Sequence, residues 1–516
     1  MNVSMKNILW IDDEINHFKS HVLFLEKKGY KIITCKSGAE GIDNISKNTY
    51  DAILLDQNMP GLSGTETIEI IKKNHSDIPL LMISQNYDND TVEDAIGLKI
   101  SDYLVKPLNP NQILMSLTKI FRKKEIISSK TISNYQKIFL DLNNKINYSE
   151  TIEEWIDVYK TLTFWELELC EIGEKDIYEI LLSQKKQANK LYSNFIENNY
   201  QDLIHNSNYL SSINLFKKKI GPELSKNHST LMIFIDNLRF DQWKSIEPHV
   251  IENCYVKTDL IYSSILPTTT QYARNSIFSG LSPLEISNIH SKYWINETSE
   301  DGKNKFENEL LNEQFIRLGL KNSFKYHKIS NSKDGELFLN NLNNQKKNDL
   351  TVLVYNFVDM ISHAKKDVKF IKELASSDKA YRELTRGWYK NSKLNEIVKK
   401  AKILGFKIIL TSDHGTISVE KPALVSGDKE ISNNLRYKTS KQIHSTKKEV
   451  LSLKEPSDFL LPSNYLSSCY IFAKGNTYFV YSNNYNNYAN MFKNTYQHGG
   501  ISMEEMLVPF IVIEPK

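Results

Sequence analysis

Five short apolar runs occupy residues 7–12 (NILWID), 31–35 (KIITC), 52–56 (AILLD), 79–84 (PLLMIS) and 102–105 (DYLV). Four of them run straight into a residue that can do chemistry: Asp12, Asp56, Ser84 or Lys106. Amphipathic stretches of helical spacing separate the runs. That alternation is a βαβ pattern and predicts a doubly wound, five-stranded parallel sheet covered on both faces. In such a sheet the carboxyl ends of the strands converge on one edge, so the polar residues are expected to meet there.

The rest of the chain needs more than one core. At 516 residues, with 40% hydrophobic and 25% charged residues, two or three globular domains are expected and global disorder is excluded. Cys35, Cys170, Cys254 and Cys469 are scattered without a CxxC, which argues against a disulfide framework or a thiolate zinc site. A reducing, cytoplasmic setting fits them. No run of 18 apolar residues exists, and the start MNVSMKNILWIDDE lacks the order of a signal peptide, so membrane insertion is not expected. A net charge of +3 is too small to imply nucleic-acid binding alone.

From Asn111 to Gly221 there is no proline. Ile132, Tyr135, Ile138, Phe139, Leu142 and Ile146 follow helical spacing, as do Trp155, Val158, Tyr159 and Leu162. A bundle of helices is expected there. A second α/β region follows, with strand candidates at 231–235, 352–357, 407–410, 478–481 and 508–513. The expected organisation is residues 1–124, a helical linker or bundle over 125–222, and an α/β domain over 223–516.

At the first sheet edge, Asp12, Asp13 and Asp56 would repel one another unless a hard cation sits among them, and Mg²⁺ with oxygen ligands suits them. The metal and Lys106 would neutralise a phosphoryl group arriving on Asp56, and the Ser84 hydroxyl could donate to one of its oxygens. The ordered set of Asp12-Asp13, LLDQNMPG at 54–61, Ser84, Tyr103 and Lys106-Pro107 resembles a bacterial response-regulator receiver domain of flavodoxin-like fold. The resemblance implies that Asp56 accepts a phosphoryl group from a sensor histidine kinase and that Tyr103 changes rotamer in response. It also implies that phosphorylation promotes a homodimer. Gln85 stands where many receivers have a small residue.

Acids and histidines recur at the strand ends of the second α/β region: Asp236 in FID, Asp359 and His363 in DMISH, Asp413-His414 in SDHG, and His498 in QHGG. Together they make two carboxylate-rich, imidazole-bearing sets of the kind paired zinc ions use, although manganese is also compatible. The segment LPTTTQYARN places Thr268, Thr269 and Thr270 before a helix, where a hydroxyl is either an N-cap or, beside such metals, a nucleophile for phosphorus.

D-x-x-R-x-D (Asp236, Arg239, Asp241), P-T-x-T (267–270), D-x-x-x-H, DHG and the late HGG resemble the alkaline phosphatase superfamily and its PglZ branch. The resemblance implies an alkaline phosphatase-like α/β domain with two Zn²⁺. One would be held by Asp359, His363 and His498. The other would be held by Asp236, Asp413, His414 and the nucleophile Thr270, with Thr268 and Thr269 left as turn and cap residues. A threonine cannot supply a formylglycine, so sulfatase chemistry is excluded.

Arg274, one helical turn after Thr270, is either a clamp for a monoester's spare oxygens or a salt-bridge partner. The acid-free stretch 431–448, with Arg436, Lys438 and Tyr437, is either a solvated basic loop or a lid binding the phosphates flanking a scissile bond. The lid favours a phosphodiesterase acting on a nucleotide or oligonucleotide. Receiver, helical linker and PglZ domain together resemble the two-component response regulators associated with type IX secretion and gliding motility, which implies an output through a sigma factor. The alternative is a docking module for a sigma factor with a structural or vestigial zinc site.

Overall fold

The computed structural model describes residues 5–516 apart from 76, 86–99, 174, 225–227, 296–303, 357–373, 428–433, 446–448, 464–468 and 483–484. These form two compact units, residues 1–134 and 135–516.

In the first unit, strands β1 (Lys6–Ile11), β2 (Tyr30–Cys35), β3 (Ala52–Asp56), β4 (Leu80–Ser84) and β5 (Asp102–Val105) form one sheet in the order β2-β1-β3-β4-β5. Every pairing is parallel. Alternation along each strand serves both faces. Leu9, Ile11, Ile53, Leu55, Leu80 and Met82 pack on one side, Ile8, Trp10, Leu54, Leu81 and Ile83 on the other. This is the doubly wound sheet that the apolar runs lead one to expect.

A single helix, α1 (Pro110–Tyr148), follows. It runs unbroken for 39 residues, so no turn marks position 124, and the unit boundary falls inside it, after Asn134. Helices α2 (Ile152–Ile172) and α3 (Lys175–His205) come next. Helix α2 opens with a capping box between Thr151 and Glu154 and closes on Gly173 in the left-handed region at φ 79°.

The second sheet runs β7-β19-β10-β6-β9-β8, from β6 (Thr230–Ile235), β7 (Cys254–Ser263), β8 (Phe324–Ile329), β9 (Leu350–Tyr355), β10 (Lys407–Thr411) and β19 (Leu507–Pro515). Strands β8, β9, β6 and β10 are parallel, and β19 is antiparallel to both its neighbours. Leu231, Ile233 and Ile235 face one layer, Met232 and Phe234 the other.

The first of those layers is where the helices lie. Trp155, Val158, Tyr159, Leu162, Tyr192 and Ile196 belong to the same core as Leu231, Ile233 and Trp243. Burying six such side chains contributes on the order of 10 kcal/mol, comparable with the net stability of a whole domain. From Tyr135 on, the helical segment shares its core with the α/β domain.

Between β10 and β19 the chain builds three small sheets. Strand β11 (Ile417–Val419) pairs with β18 (Thr495–Gln497). Strand β12 (Lys421–Gly427) lies between β14 (Ile443–Ser445) and β17 (Thr477–Tyr481), and β16 (Cys469–Ala473) between β13 (Tyr437–Ser440) and β15 (Val450–Leu453). Among the described residues no helix is long and apolar enough to cross a membrane.

Candidate functional site

At the carboxyl edge of the first sheet, oxygens of Asp12, Asp13 and Asp56 lie within 4.8 Å of one another. Lys106 Nζ stands 3.1 Å from Asp56 Oδ2 and 3.3 Å from Asp12 Oδ2. The Lys106 amide donates to the Ser84 carbonyl at 2.8 Å, which ties the fifth strand's exit to the fourth's. The Lys106-Pro107 peptide is cis. Tyr103 is half-buried against the core of one face.

Burial, and then the neighbouring Asp12 charge, push the Asp56 carboxyl up to about 6. Asp12 is raised as well, chiefly by burial. Asp56 Oδ1 is buried without a hydrogen-bond donor, and Asp12 Oδ2 faces only the Lys106 ammonium at 3.3 Å. Buried, donor-poor carboxylate oxygens in a cluster fit a divalent cation, and Mg²⁺ is the ion that all-oxygen ligation favours.

In the second unit the carboxyl ends of β6 and β10 gather Asp236, Asp413 and His414, whose ligand atoms also lie within 4.8 Å of one another. Helix α4 (Thr270–Ser279) delivers Thr270 to them as its first residue. Thr270 Oγ1 is 3.3 Å from Asp236 Oδ1 and 3.3 Å from His414 Nε2. Thr269 takes the N-cap position without using its side chain as a cap. Thr268 does something the sequence did not reveal: its Oγ1 donates to the Gly500 carbonyl at 2.9 Å and accepts from the Gly499 amide at 3.0 Å.

His498 Nδ1 lies 3.2 Å from the Thr268 carbonyl, and His414 Nδ1 lies 3.1 Å from the Gly415 carbonyl. A carbonyl can only accept, so both Nδ1 atoms carry hydrogen and the lone pair resides on Nε2. That is the outer bonding of a metal-ligating imidazole. Asp413 Oδ2 is buried without a hydrogen-bond donor. Donor set, tautomers and unsatisfied oxygen fit zinc. Asp359 and His363 lie outside the described residues.

Gly415 is required by packing. A Cβ there would stand 2.0 Å from the Glu504 carbonyl oxygen, a backbone atom that cannot step aside.

At two open readings the structure shows buried, ion-paired or packed side chains. Arg274 is fully buried, with Nε 2.6 Å from Glu307 Oε1, Nη1 2.9 Å from Asp236 Oδ2 and Nη1 3.7 Å from Asp413 Oδ2. It is a salt-bridge partner of Glu307 and Asp236, behind the Asp236–Asp413–His414 cluster. Arg436 is also fully buried, held by Glu505 at 2.6 and 3.1 Å. Lys438 is 1% exposed, 4.6 Å from the Tyr481 ring, and burial pulls its ammonium down to about 7. Tyr437 is buried with them. These residues form strand β13 and its approach, so they cannot offer charge to a polyanion. The expectation of a basic lid fails at Arg436 and Lys438 because each is packed into a small sheet.

Arg239 and Asp241 of the D-x-x-R-x-D pattern belong to a buried ion network. Arg239 bonds Asp241 and Asp378, and Arg382 bonds Asp241 and Glu166. Lys185 reaches Glu166, Asp378 and Glu504. Glu166, Lys185, Asp378, Glu504 and Glu505 went unnoticed in the sequence; the one local signal is the Ser502–Glu505 cap at residues 502–505.

Three family models match the chain. Residues 8–118 match the response regulator receiver domain family, residues 125–204 the PorX response regulator linker domain, and residues 215–513 the BREX system PglZ alkaline phosphatase-like domain. Among curated relatives, the probable transcriptional regulator ycf27 of Cyanidium caldarium is 28% identical over 36% of this chain and 72% of its own length. ZraR of Klebsiella oxytoca is 28% identical over 23% of this chain but only 27% of its own. Among solved structures, chemotaxis protein CheY4 of Vibrio cholerae is 26% identical over 22% of this chain and 98% of its own, with a TM-score of 0.22. The receiver implies a histidine kinase as phosphodonor and Mg²⁺ as its ion, and the PglZ domain points to metal-dependent hydrolase activity. The chain belongs to the PglZ alkaline phosphatase-like family, in the PorX-type architecture of receiver, linker and PglZ domain.

Proposed function

We propose that this response regulator is a zinc-dependent phosphodiesterase with Thr270 as its nucleophile, under the control of phosphorylation at Asp56. The observation that carries the reading is the position of Thr270 Oγ1, 3.3 Å from both Asp236 Oδ1 and His414 Nε2 at a helix N-terminus.

Asp236, Asp413, His414 and the Thr270 hydroxyl would hold one zinc, and Asp359, His363 and His498 the other. Bound zinc supplies a Lewis acid that lowers the proton affinity of a hydroxyl and neutralises charge on the entering and leaving oxygens. Thr270 Oγ1 loses its proton to solvent and attacks phosphorus. The new Oγ–P bond forms as the P–O bond to the leaving alcohol breaks, and that oxygen takes up a proton. Water then cleaves the phosphothreonine, releasing a phosphomonoester and restoring the hydroxyl.

A diester is favoured because the Arg274 guanidinium is fully buried and ion-paired with Glu307 and Asp236. A monoester would leave two charged oxygens wanting such a clamp. With Arg436 and Lys438 buried, the oligonucleotide class loses its support, and a small phosphodiester such as a nucleotide ester is the substrate class proposed. The match to the PorX linker supports a wider role in type IX secretion and gliding motility, exerted through a sigma factor by a phosphorylation-promoted dimer. Zinc content of the full chain and hydrolysis of a chromogenic diester beside its monoester test the reading. Two zinc ions with faster diester cleavage are expected; stoichiometric zinc with neither ester turned over would leave a docking module instead.

A further inference from the structure

Helix α3 carries buried polar residues where a helix that merely packed would carry apolar ones. Asn189, Ser193 and Tyr200 are 6%, 0% and 1% exposed. Each brings a polar atom within hydrogen-bond distance of loops of the α/β domain. Asn189 Nδ2 donates to Glu504 Oε2 at 2.8 Å, and Asn189 Oδ1 accepts the Met503 amide at 2.9 Å. Ser193 Oγ donates to the Asn189 carbonyl of its own helix at 2.7 Å, lies 3.2 Å from the Ile501 carbonyl and accepts the Gly475 amide at 3.1 Å. Tyr200 Oη accepts the Leu266 amide at 2.8 Å.

Those loops are the ones that carry the chemistry. Leu266 precedes the Pro267–Thr270 turn, and Ile501–Glu504 follows His498-Gly499-Gly500. The two are stitched together by Thr268, which bonds Gly499 and Gly500 and accepts from His498 Nδ1. Behind His414, the Gly415 amide donates to the Glu505 carbonyl at 3.0 Å. A rigid helix thus grips the nucleophile's loop at one point and the histidine's loop at two others.

We propose that Asn189, Ser193 and Tyr200 are positioning residues for the site: the helical segment sets Thr270, His414 and His498 at their working separation. This rests on the hydrolytic reading above. An outer partner that orients a ligand typically governs affinity or rate by 10–100-fold, roughly, and misplacing a reacting group by about 1 Å has a similar effect on rate.

The test uses the full chain with Asn189→Ala, Tyr200→Phe and, as a control on the same helix, Lys186→Ala, whose exposed ion pair to Glu420 touches neither loop. Zinc affinity is read by chelator competition, and kcat and KM on a chromogenic diester. Asn189→Ala is expected to weaken zinc by about tenfold or more. Tyr200→Phe, which removes one oxygen atom, is expected to lower kcat about tenfold with KM unchanged. Lys186→Ala should match the wild type in both. Zinc affinity and kcat within about twofold of wild type in the first two variants, with only the melting temperature lowered, would overturn the proposal. Should Asn189→Ala fail to fold, Tyr200→Phe decides alone. Should the wild type bind zinc without hydrolysing either ester, the hydrolytic reading falls, and the zinc affinity of Asn189→Ala still decides the positioning role.

Discussion

The imidazoles of His414 and His498 lie face to face, with ring centroids 4.4 Å apart and planes inclined by 21°. Loops separated by more than eighty residues in sequence meet at that stack. Each ring is held through Nδ1 by a backbone carbonyl, so both present Nε2 in a fixed direction.

Thr268 is the residue on which the His498 side of this arrangement depends. Thr268→Val keeps the shape but removes a donor to the Gly500 carbonyl and an acceptor for the Gly499 amide. Leaving two buried backbone groups unpaired, at about 1–3 kcal/mol each, should destabilise by about 2–6 kcal/mol. Denaturant unfolding is expected to show that loss, and zinc titration a weaker site. Unchanged zinc affinity would mean that His498 is held by other contacts.

The receiver makes a prediction about pH. Asp56 has an ordinary value of 3.8 and is raised to about 6 in the folded, metal-free state. Between those values the folded state binds more protons than the unfolded state, so this group's contribution falls as pH rises through the window. Above it, a buried charge is being paid for in stability. In chelator, Asp56→Asn should therefore raise the receiver's melting transition at pH 7.5, by roughly 1–3 kcal/mol in stability. The gain should vanish as pH falls toward 4 and shrink at pH 7.5 when Mg²⁺ is added. The same variant should take up no phosphoryl group from a small acyl phosphate.

Arg274 and Glu307 form a buried pair, 2.6 Å between Nε and Oε1. Removing one partner strands the other, so Arg274→Met should destabilise by about 3–5 kcal/mol. Arg274→Met with Glu307→Gln should be less destabilised than the single variant. Additive losses in the double-mutant cycle would show the pair to be uncoupled.

How much of this could be read from the sequence depends on how local each cause is. The receiver was legible because each apolar run carries its functional residue at its own end, as in AILLD with Asp56. Asp236 and Asp413-His414 were legible for the same reason, and the structure gathers them with Thr270. Strands β7 and β8 escaped notice because their exposed positions break the buried-strand pattern. The fates of Arg274 and Arg436 were not legible at all. Each is decided by a carboxylate far along the chain, Glu307 for one and Glu505 for the other, and only folding brings that charge within reach. Tyr200 and Asn189 were hidden for a further reason: they bond largely to backbone amides, which every residue but proline possesses.

The measurement that bears most directly on the hydrolytic reading is turnover of a chromogenic phosphodiester by Thr270→Ala, with zinc content determined on the same sample. The expected result is zinc retained on the remaining ligands and kcat lowered by at least about a thousandfold. Zinc retained with turnover near that of the wild type would contradict Thr270 as the nucleophile.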